Sequence, residues 1–252
     1  MPAVEVIVVS GRGAHAASSA VATIVQQDYP GAIHILLVAD NWDCAACDPP
    51  LQADRVLRRV GIMDLDPRAG QPTAERVARL RNMALSLVSS DLVCFLDDDN
   101  RWAPNHISSL VTLLTATGAQ AVHSWRRIVG SPGIPWRGES FPWGRDPQRR
   151  GQAYRRLTEL GIIVAGSEIF RDSFDACGGE CPLDLVDMGS WLFRAEIFRS
   201  LRFENRYSDA DVQNSITEDD KLLRDLRRLG IRTACTEDPS LEYRLGGFSN
   251  AR

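Results

Sequence analysis

Lysine is nearly missing from this 252-residue chain: Lys221 is the only one among 29 Lys and Arg residues. Any mechanism that needs a lysine elsewhere is excluded, and with arginine so favoured an arginine cluster alone says little about anion binding. Long apolar runs are missing too. No stretch reaches the ~18 residues that cross a bilayer. Residues 1–10 carry no basic residue ahead of their apolar segment, so they do not read as a secretory signal, and the cytoplasm is the expected location. Excess positive charge is absent: the net charge is −4 and the pI about 5.6, which argues against a nucleic-acid partner. No G-K-S or G-K-T tripeptide occurs, which excludes a Walker-type phosphate loop.

Cysteine is sparse. Cys44, Cys47, Cys94, Cys177, Cys181 and Cys235 are expected as free thiols in the absence of a signal peptide. Cys44-x-x-Cys47 and Cys177-x-x-x-Cys181 offer four zinc-type ligands. The pairs lie far apart without flanking knuckle turns, so isolated thiols are favoured over a zinc-stabilised module.

What is present is ordinary for a globular protein, with 44% hydrophobic and 25% charged residues. Residues 4–9 form an apolar, β-branched run that predicts a buried strand, and residues 15–27 repeat apolar side chains at helical spacing. Asp28-Tyr29-Pro30-Gly31 breaks the helix, and residues 33–39 predict a second buried strand ending at Asp40. A short helix over 53–59 and a short strand over 60–63 are expected next. Residues 74–88 predict a helix and 92–96 a third buried strand. Pro104 opens a further helix, and 121–125 reads as a strand. The Gly- and Pro-rich stretch 130–152, with Trp136, Phe141 and Trp143, predicts a long loop that is either a binding lid or an excursion whose aromatics plug the core. Beyond it come a helix over 153–160, strands over 162–165 and 190–193, a short helix over 195–201, a helix over 217–229 and a strand over 231–235. Strand and helix alternation with continuous apolar strands predicts a single α/β domain: a Rossmann-like, mostly parallel sheet flanked by helices.

Two acidic clusters stand out. Asp97, Asp98 and Asp99 follow the strand over 92–96 directly, at the carboxyl end where open α/β sheets bind ligands. Adjacent carboxylates raise one another's pKa unless a cation is present. An oxygen-only donor set favours Mg²⁺ or Mn²⁺, usually shared with phosphate oxygens of a ligand. A solvated turn is the alternative. Glu218, Asp219 and Asp220 open the last long helix. They fit helix capping, with Ser215 and Glu218 as a capping box, or a general base for a hydroxyl. Ser10-Gly11-Arg12-Gly13 and Asp40 end the first two strands, where they would hold a nucleotide or simply begin turns.

Taken together these segments resemble glycosyltransferase family 2, inverting enzymes with the GT-A fold, over nearly the whole chain. The first strand, the Gln27-Asp28-Tyr29-Pro30 break, the second strand ending at Asp40, Arg81-Asn82 followed by Phe95-Leu96-Asp97-Asp98-Asp99, the segment 188–194 and Glu218-Asp219-x-x-Leu222 stand in family order. The departures are Asn41-Trp42-Asp43 after Asp40 and a tail, Tyr243-Arg244-Leu245-Gly246-Gly247, without histidine. The resemblance implies a metal-dependent, hexosyltransferase-type enzyme. It would move sugar from a nucleotide-diphosphate donor to a hydroxyl-bearing acceptor in natural-product or polysaccharide assembly. Ser10, Arg12, Asp40, Arg81, Asp97 and Asp98 would hold the nucleotide sugar, Asp99 and Asp97 the Mg²⁺ or Mn²⁺, Asp219 would be the base beside Glu218, and Trp191 and Asp187 would face the acceptor. Residues 1–125 would form the donor half and 126–252 the acceptor half. A homo-oligomer is compatible with the sequence. A sugar nucleotidyltransferase is disfavoured by the missing lysine in the first loop, and a non-catalytic sugar-nucleotide-binding relative by the intact acidic motifs.

Overall fold

β-Branched residues build the first strand, β1 (Val4–Ser10), which is buried along almost its whole length. The structure, a computed structural model, describes residues 1–52, 54–63, 73–130, 133–143, 146–174 and 185–246. Helix α1 (Ala14–Val25) buries Ala17, Ala20, Val21, Ile24 and Val25, the stripe its spacing predicts. Strand β2 (Ile33–Asp40) returns parallel to β1, with Ser10 opposite Ala39. The intervening turn is stitched from inside. Arg55, only 4% exposed, donates to the carbonyls of Gln27, Tyr29 and Gly31 at 3.0, 2.9 and 3.1 Å.

Arg55 also opens β3 (Arg55–Ile62), which replaces the expected helix over 53–59 and takes in the strand expected over 60–63 up to Ile62. Parallel pairing with β2, from Ile33–Arg55 to Asp40–Ile62, overrides the helix propensity of its arginines. On an edge strand those charges also discourage pairing with another chain. Next come α2 (Thr73–Leu85), β4 (Leu92–Asp97), β5 (Arg101–Trp102) and α3 (His106–Thr117). Pro104 lies in the turn before α3 rather than inside the helix. The strand expected over 121–125 forms as the shorter β6 (Ala121–His123), and β7 (Arg126–Val129) follows it in the other sheet.

Helix α4 (Pro147–Glu159) begins inside the expected loop. The Asp146 carboxylate accepts from the N–H groups of Gln148 and Arg149, and Pro147 fits the first turn. No strand forms over 162–165; Ile163 makes only a bridge to Phe170 in β8 (Ile169–Phe170). The chain ends with β9 (Trp191–Arg194), α5 (Asp209–Gln213), α6 (Glu218–Arg228), β10 (Thr233–Cys235) and β11 (Leu241–Arg244).

Seven strands form the main sheet in the order β10-β6-β9-β4-β1-β2-β3, and four form a second sheet, β5-β11-β7-β8. The main sheet is parallel except for β9, which runs against β4 and β6. One apolar cluster joins it to α1 and α3, another to α2 and α6. Trp136, Phe141 and Trp143 neither plug this core nor stand free. They pack with Ile128, Leu157, Phe170 and Tyr243 as a separate small core on the second sheet. In the main sheet β2 and β3 lie on one side of β1 and β4 on the other. The strand order therefore reverses between β1 and β4, and a crevice opens there at their carboxyl ends.

Candidate active site

The acidic triplet occupies that crevice. Asp97 ends β4 opposite Val9 of β1. Asp98 turns inward and is 6% exposed. Its Oδ2 accepts from the Ser10 hydroxyl at 2.7 Å and from the Arg12 N–H at 3.2 Å, clamping the ends of the two strands together. Asp99 receives the Arg12 guanidinium at 3.0 Å. Burial, then the charges of Asp97 and Asp98, push the Asp99 carboxyl up to about 6, with Arg12 opposing. A carboxylate so placed gains from any additional cation.

Arg81 unites the two acidic clusters. Helix α2 carries it inward, to 2% exposure. Its Nη2 donates to Asp97 Oδ1 at 2.8 Å and its Nη1 to Asp219 Oδ1 at 2.6 Å, while Glu218 Oε1 lies 3.2 Å from Nη1. The guanidinium carbon sits 5.3 Å from the Phe203 ring centroid and 5.8 Å from that of Phe95. Burial works against its charge, but Asp219, Asp97 and Glu218 outweigh that and raise its pKa. Glu218 is pushed up to about 8, by burial first and by Asp219 second. Asp219 is also raised, chiefly by burial, with Arg81 holding it down.

The two acids are free for this arrangement because neither caps the helix. The capping box is Thr217 with Asp220: Thr217 Oγ1 accepts from the Asp220 N–H at 3.2 Å, and Asp220 Oδ2 accepts from the Thr217 N–H at 2.7 Å. This corrects the expected Ser215–Glu218 box. Ser215 is left-handed, with φ 56, and stands before the cap.

At the end of β2, Asp40 is gripped by Arg76 of α2, which donates from Nε at 2.6 Å and from Nη2. A Cβ on Gly11 would lie 3.9 Å from Asp40 Oδ2, so Asp40 borders the same loop as Ser10 and Arg12. Asp187 accepts from the Gly189 N–H at 2.9 Å and lies 3.5 Å from Arg126. Burial is the main cause that pushes its carboxyl up to about 7, and Asp219 and Asp97 add to it. Asp187 thus faces the same field as the candidate base.

Trp191 corrects its expected acceptor-side role. It is 0% exposed, stacked on Phe193 at 5.3 Å and tilted against His123 at 4.8 Å, so it presents no surface to a ligand and supports β9 instead. Ser10, Arg12, Arg81, Asp97, Asp98, Asp99, Glu218 and Asp219 come together; Asp40 and Asp187 flank them. Sequence reasoning missed Arg76 and Arg126, whose arginines were indistinguishable from the many others. Cys44 and Cys47 are free thiols, and Cys177 and Cys181 lie outside the described residues. Among the described residues no three His, Cys, Asp or Glu side chains converge as a metal cage. None of their helices is long and apolar enough to cross a membrane.

A mostly parallel mixed sheet between helices, with an acidic edge where the strand order reverses, defines the GT-A class of transferase folds. S. aureus TarS 1-349 matches 96% of this chain and 60% of its own, with a TM-score of 0.55 and 13% identity. Its complex with UDP-GlcNAc matches 96% and 58%, with a TM-score of 0.54 and 13% identity. The mannosyltransferase PcManGT from Pyrobaculum calidifontis, in complex with GDP-Man and Mn²⁺, matches 99% and 59%, with a TM-score of 0.57 and 17% identity. The chain therefore spans less than two thirds of the length of these proteins, and the likeness is one of fold. The model of glycosyl transferase family 2 matches residues 71–178, the stretch that contains Arg81 and Asp97 to Asp99. Over that stretch the chain is similar to glycosyl transferase family 2, and beyond it the likeness is to the GT-A fold. No curated protein matches it.

Proposed function

We propose that the chain transfers a sugar from a nucleoside-diphosphate donor to an acceptor hydroxyl with inversion at the anomeric carbon. The observation that carries this reading is Arg81, which holds Asp97 of the first acidic cluster and Asp219 of the second on one guanidinium. Donor-side and acceptor-side chemistry then share one crevice. TarS bound to UDP-GlcNAc and PcManGT bound to GDP-Man and Mn²⁺ support the donor class and the cation.

The oxygen donors and the cation-deficient Asp99 fit Mg²⁺ or Mn²⁺, which Asp99 and Asp97 would hold with phosphate oxygens completing the sphere. When bound, the ion supplies Lewis-acid neutralisation of the departing diphosphate. Ser10, Arg12, Asp40 and Asp98 border the nucleoside. Arg12, on the surface of the crevice, also lies within reach of the diphosphate. Asp219 takes the proton of the attacking hydroxyl. Arg81 favours the ionised form of Asp219 against the burial that raises it, while Glu218, pushed up to about 8, keeps its proton near neutrality. Two neighbouring carboxyls are thereby divided into a base and a neutral partner. A single displacement leaves no covalent enzyme intermediate. Residues 1–125 supply the donor side, and 126–252 supply the acceptor side together with the base.

A thermal-shift screen of UDP, GDP, ADP, CDP and dTDP, each with and without Mn²⁺, tests the reading. A ligand bound by the folded chain alone raises its melting temperature, and one nucleotide is expected to do so with Mn²⁺. No shift from any of them would overturn the proposal.

A further inference from the structure

Between β9 and α6 the chain makes an excursion that the proposed reaction does not use. It leaves the body at Phe203, whose N–H donates to Asn82 Oδ1 at 2.9 Å and whose carbonyl accepts from Asn82 Nδ2 at 2.8 Å. The Phe203 ring lies against Arg81. The excursion returns at Thr217, the cap of α6. Both of its ends thus touch the groups that join the acidic clusters. In between, no residue from 204 to 215 is buried, and Val212 of α5 is 52% exposed. Burial in an apolar cluster therefore does not hold this segment to the body.

Lys221 of α6 holds it instead. The lysine is 4% exposed. Its Nζ donates to the Arg206 carbonyl at 2.6 Å and to Asp211 Oδ2 at 3.1 Å, and sits 4.0 Å from the centroid of the Tyr207 ring. Asp211 Oδ2 also accepts from the N–H and the hydroxyl of Ser208, at 2.9 and 3.0 Å, which closes the cap of α5. One ammonium thus orders both the loop and the helix of the excursion. Releasing it would strand a carbonyl and a carboxylate without their donor. Tyr207 is fixed by the same contact. Its hydroxyl is buried without a partner, and burial, then the charges of Glu218 and Asp219, push its phenol up. The ring therefore stands beside the two acids that Arg81 holds.

We infer that Lys221 is a positioning residue for the transfer reaction: it latches residues 204–215 onto the helix that carries Asp219, and the latched segment keeps Tyr207 against Glu218 and Asp219 so that the base stays aimed into the crevice. The inference rests on the proposed transfer. Asp219 then has two supports of different origin. Arg81 reaches it from α2, and the latch fixes the first turn of α6 through the excursion that leads into it. The ammonium of Lys221 is spent on Arg206, Asp211 and Tyr207, so it acts through the base and not on the substrate. A reacting group displaced by about 1 Å loses about a hundredfold in rate, which makes the second support matter for turnover even where the fold survives without it.

Trypsin reads the latch directly, because it cleaves after Arg206, whose carbonyl Lys221 holds. Wild type, Lys221→Met, Lys221→Arg and Asp211→Asn are compared by the rate of that cleavage, followed by mass spectrometry. They are also compared by consumption of glucose, mannose and N-acetylglucosamine donors of the nucleotide selected by thermal shift, with water as acceptor. Lys221→Met should speed cleavage after Arg206 about tenfold or more, the loss of a charged hydrogen bond. Its kcat should fall about tenfold to a hundredfold, with donor KM within about twofold of wild type. Asp211→Asn should act in the same direction, and adding it to Lys221→Met should change little further. Lys221→Arg, which keeps the charge, should recover part of both effects. If Lys221→Met does not fold by near-UV circular dichroism, Asp211→Asn carries the comparison. Unchanged cleavage, unchanged kcat, or a higher donor KM at full kcat overturns the inference. A wild type that neither shifts with any nucleotide nor consumes any donor defeats the transfer reading and the positioning role with it. Donor consumption at equal rates in wild type and folded variants defeats the positioning role alone.

Discussion

Replacing Arg81 with alanine removes one buried cation from among three carboxylates. Asp97, Asp219 and Glu218 lie 2.8, 2.6 and 3.2 Å from its guanidinium, and the arginine is 2% exposed, so solvent cannot replace it without opening the α2–α6 contact. Breaking a buried ion pair by deleting one partner costs about 3–5 kcal/mol. Glu218, pushed up to about 8, is already protonated near neutrality, so the cost falls chiefly on Asp97 and Asp219. In a chain of this size about 2–4 °C of melting temperature accompanies each kcal/mol, and the expected loss is about 6–20 °C at pH 7. Acidification reduces it, because protonating the stranded carboxylates removes the charge left without a partner. The deficit against wild type should therefore shrink between pH 7 and pH 5. Arg81→Lys should fall between the two, since one ammonium cannot serve β4 and α6 together and forfeits about 1.5–3 kcal/mol of charged hydrogen bonding. Melting curves followed by circular dichroism at both pH values decide the matter. An alanine variant that melts within about 2 °C of wild type at pH 7 would refute the idea that Arg81 holds the acidic clusters together.

Asp219→Asn should keep the nucleotide-induced shift while turnover falls by about 10²–10⁴, the range for a lost general base; donor-consumption assays at saturating donor would expose an undiminished rate and rule this residue out. Asp99→Ala should lose the Mn²⁺-dependent part of the nucleotide shift, and a shift that survives and still responds to chelator would place the cation elsewhere. Asp172 has a folded-state pKa raised to about 8, chiefly by burial, against about 3.9 when unfolded. Between those values the folded chain keeps a proton that the unfolded chain has released. The stabilising effect of that proton is present below the unfolded pKa and is lost as pH rises through about 8. Wild type should lose stability relative to Asp172→Asn from pH 5 to pH 8, by at most about 1.4 kcal/mol per pH unit; parallel pH profiles would contradict this. Arg55→Met leaves the carbonyls of Gln27, Tyr29 and Gly31 without their buried donor. It should cost about 3 kcal/mol in urea unfolding, and a midpoint equal to wild type would show that the turn holds itself.

The elements that sequence reasoning placed correctly are those whose own residues decide them. β1, β2 and β4 are continuous apolar runs that only a sheet covered on both faces can bury, and α1 and α6 carry single apolar stripes. The elements it misplaced are decided by partners far away in the chain. Residues 55–62 carry arginines and glycine that suit no strand until β2 offers its edge. The strand expected over 121–125 stops at His123, because Ser124 and Trp125 carry the chain from the main sheet to the second one. At α4 the local evidence was present in Asp146 and Pro147, but the surrounding glycines and prolines obscured it.

The candidate site divides in the same way. Asp97, Asp98 and Asp99 were legible because a buried strand running into three carboxylates places charge where it is costly. Their separate duties were not legible, since Asp98 turns in to Ser10 while Asp99 meets Arg12, and only the register of β1 against β4 decides which carboxylate does which. The second cluster was ambiguous because Glu218, Asp219 and Asp220 all suit a first helical turn. The hydroxyl of Thr217 resolves this by pairing with Asp220 and leaving the two preceding acids to Arg81. A capping residue one position away would turn a different pair of carboxylates toward α2. The position of the candidate base is thus set by a threonine that touches neither donor nor acceptor, and Thr217→Ala should lower turnover through Asp219 while leaving nucleotide binding intact. Equal turnover in that variant would mean that packing of Leu222, Leu223 and Leu226 against the main sheet fixes the helix start without the cap.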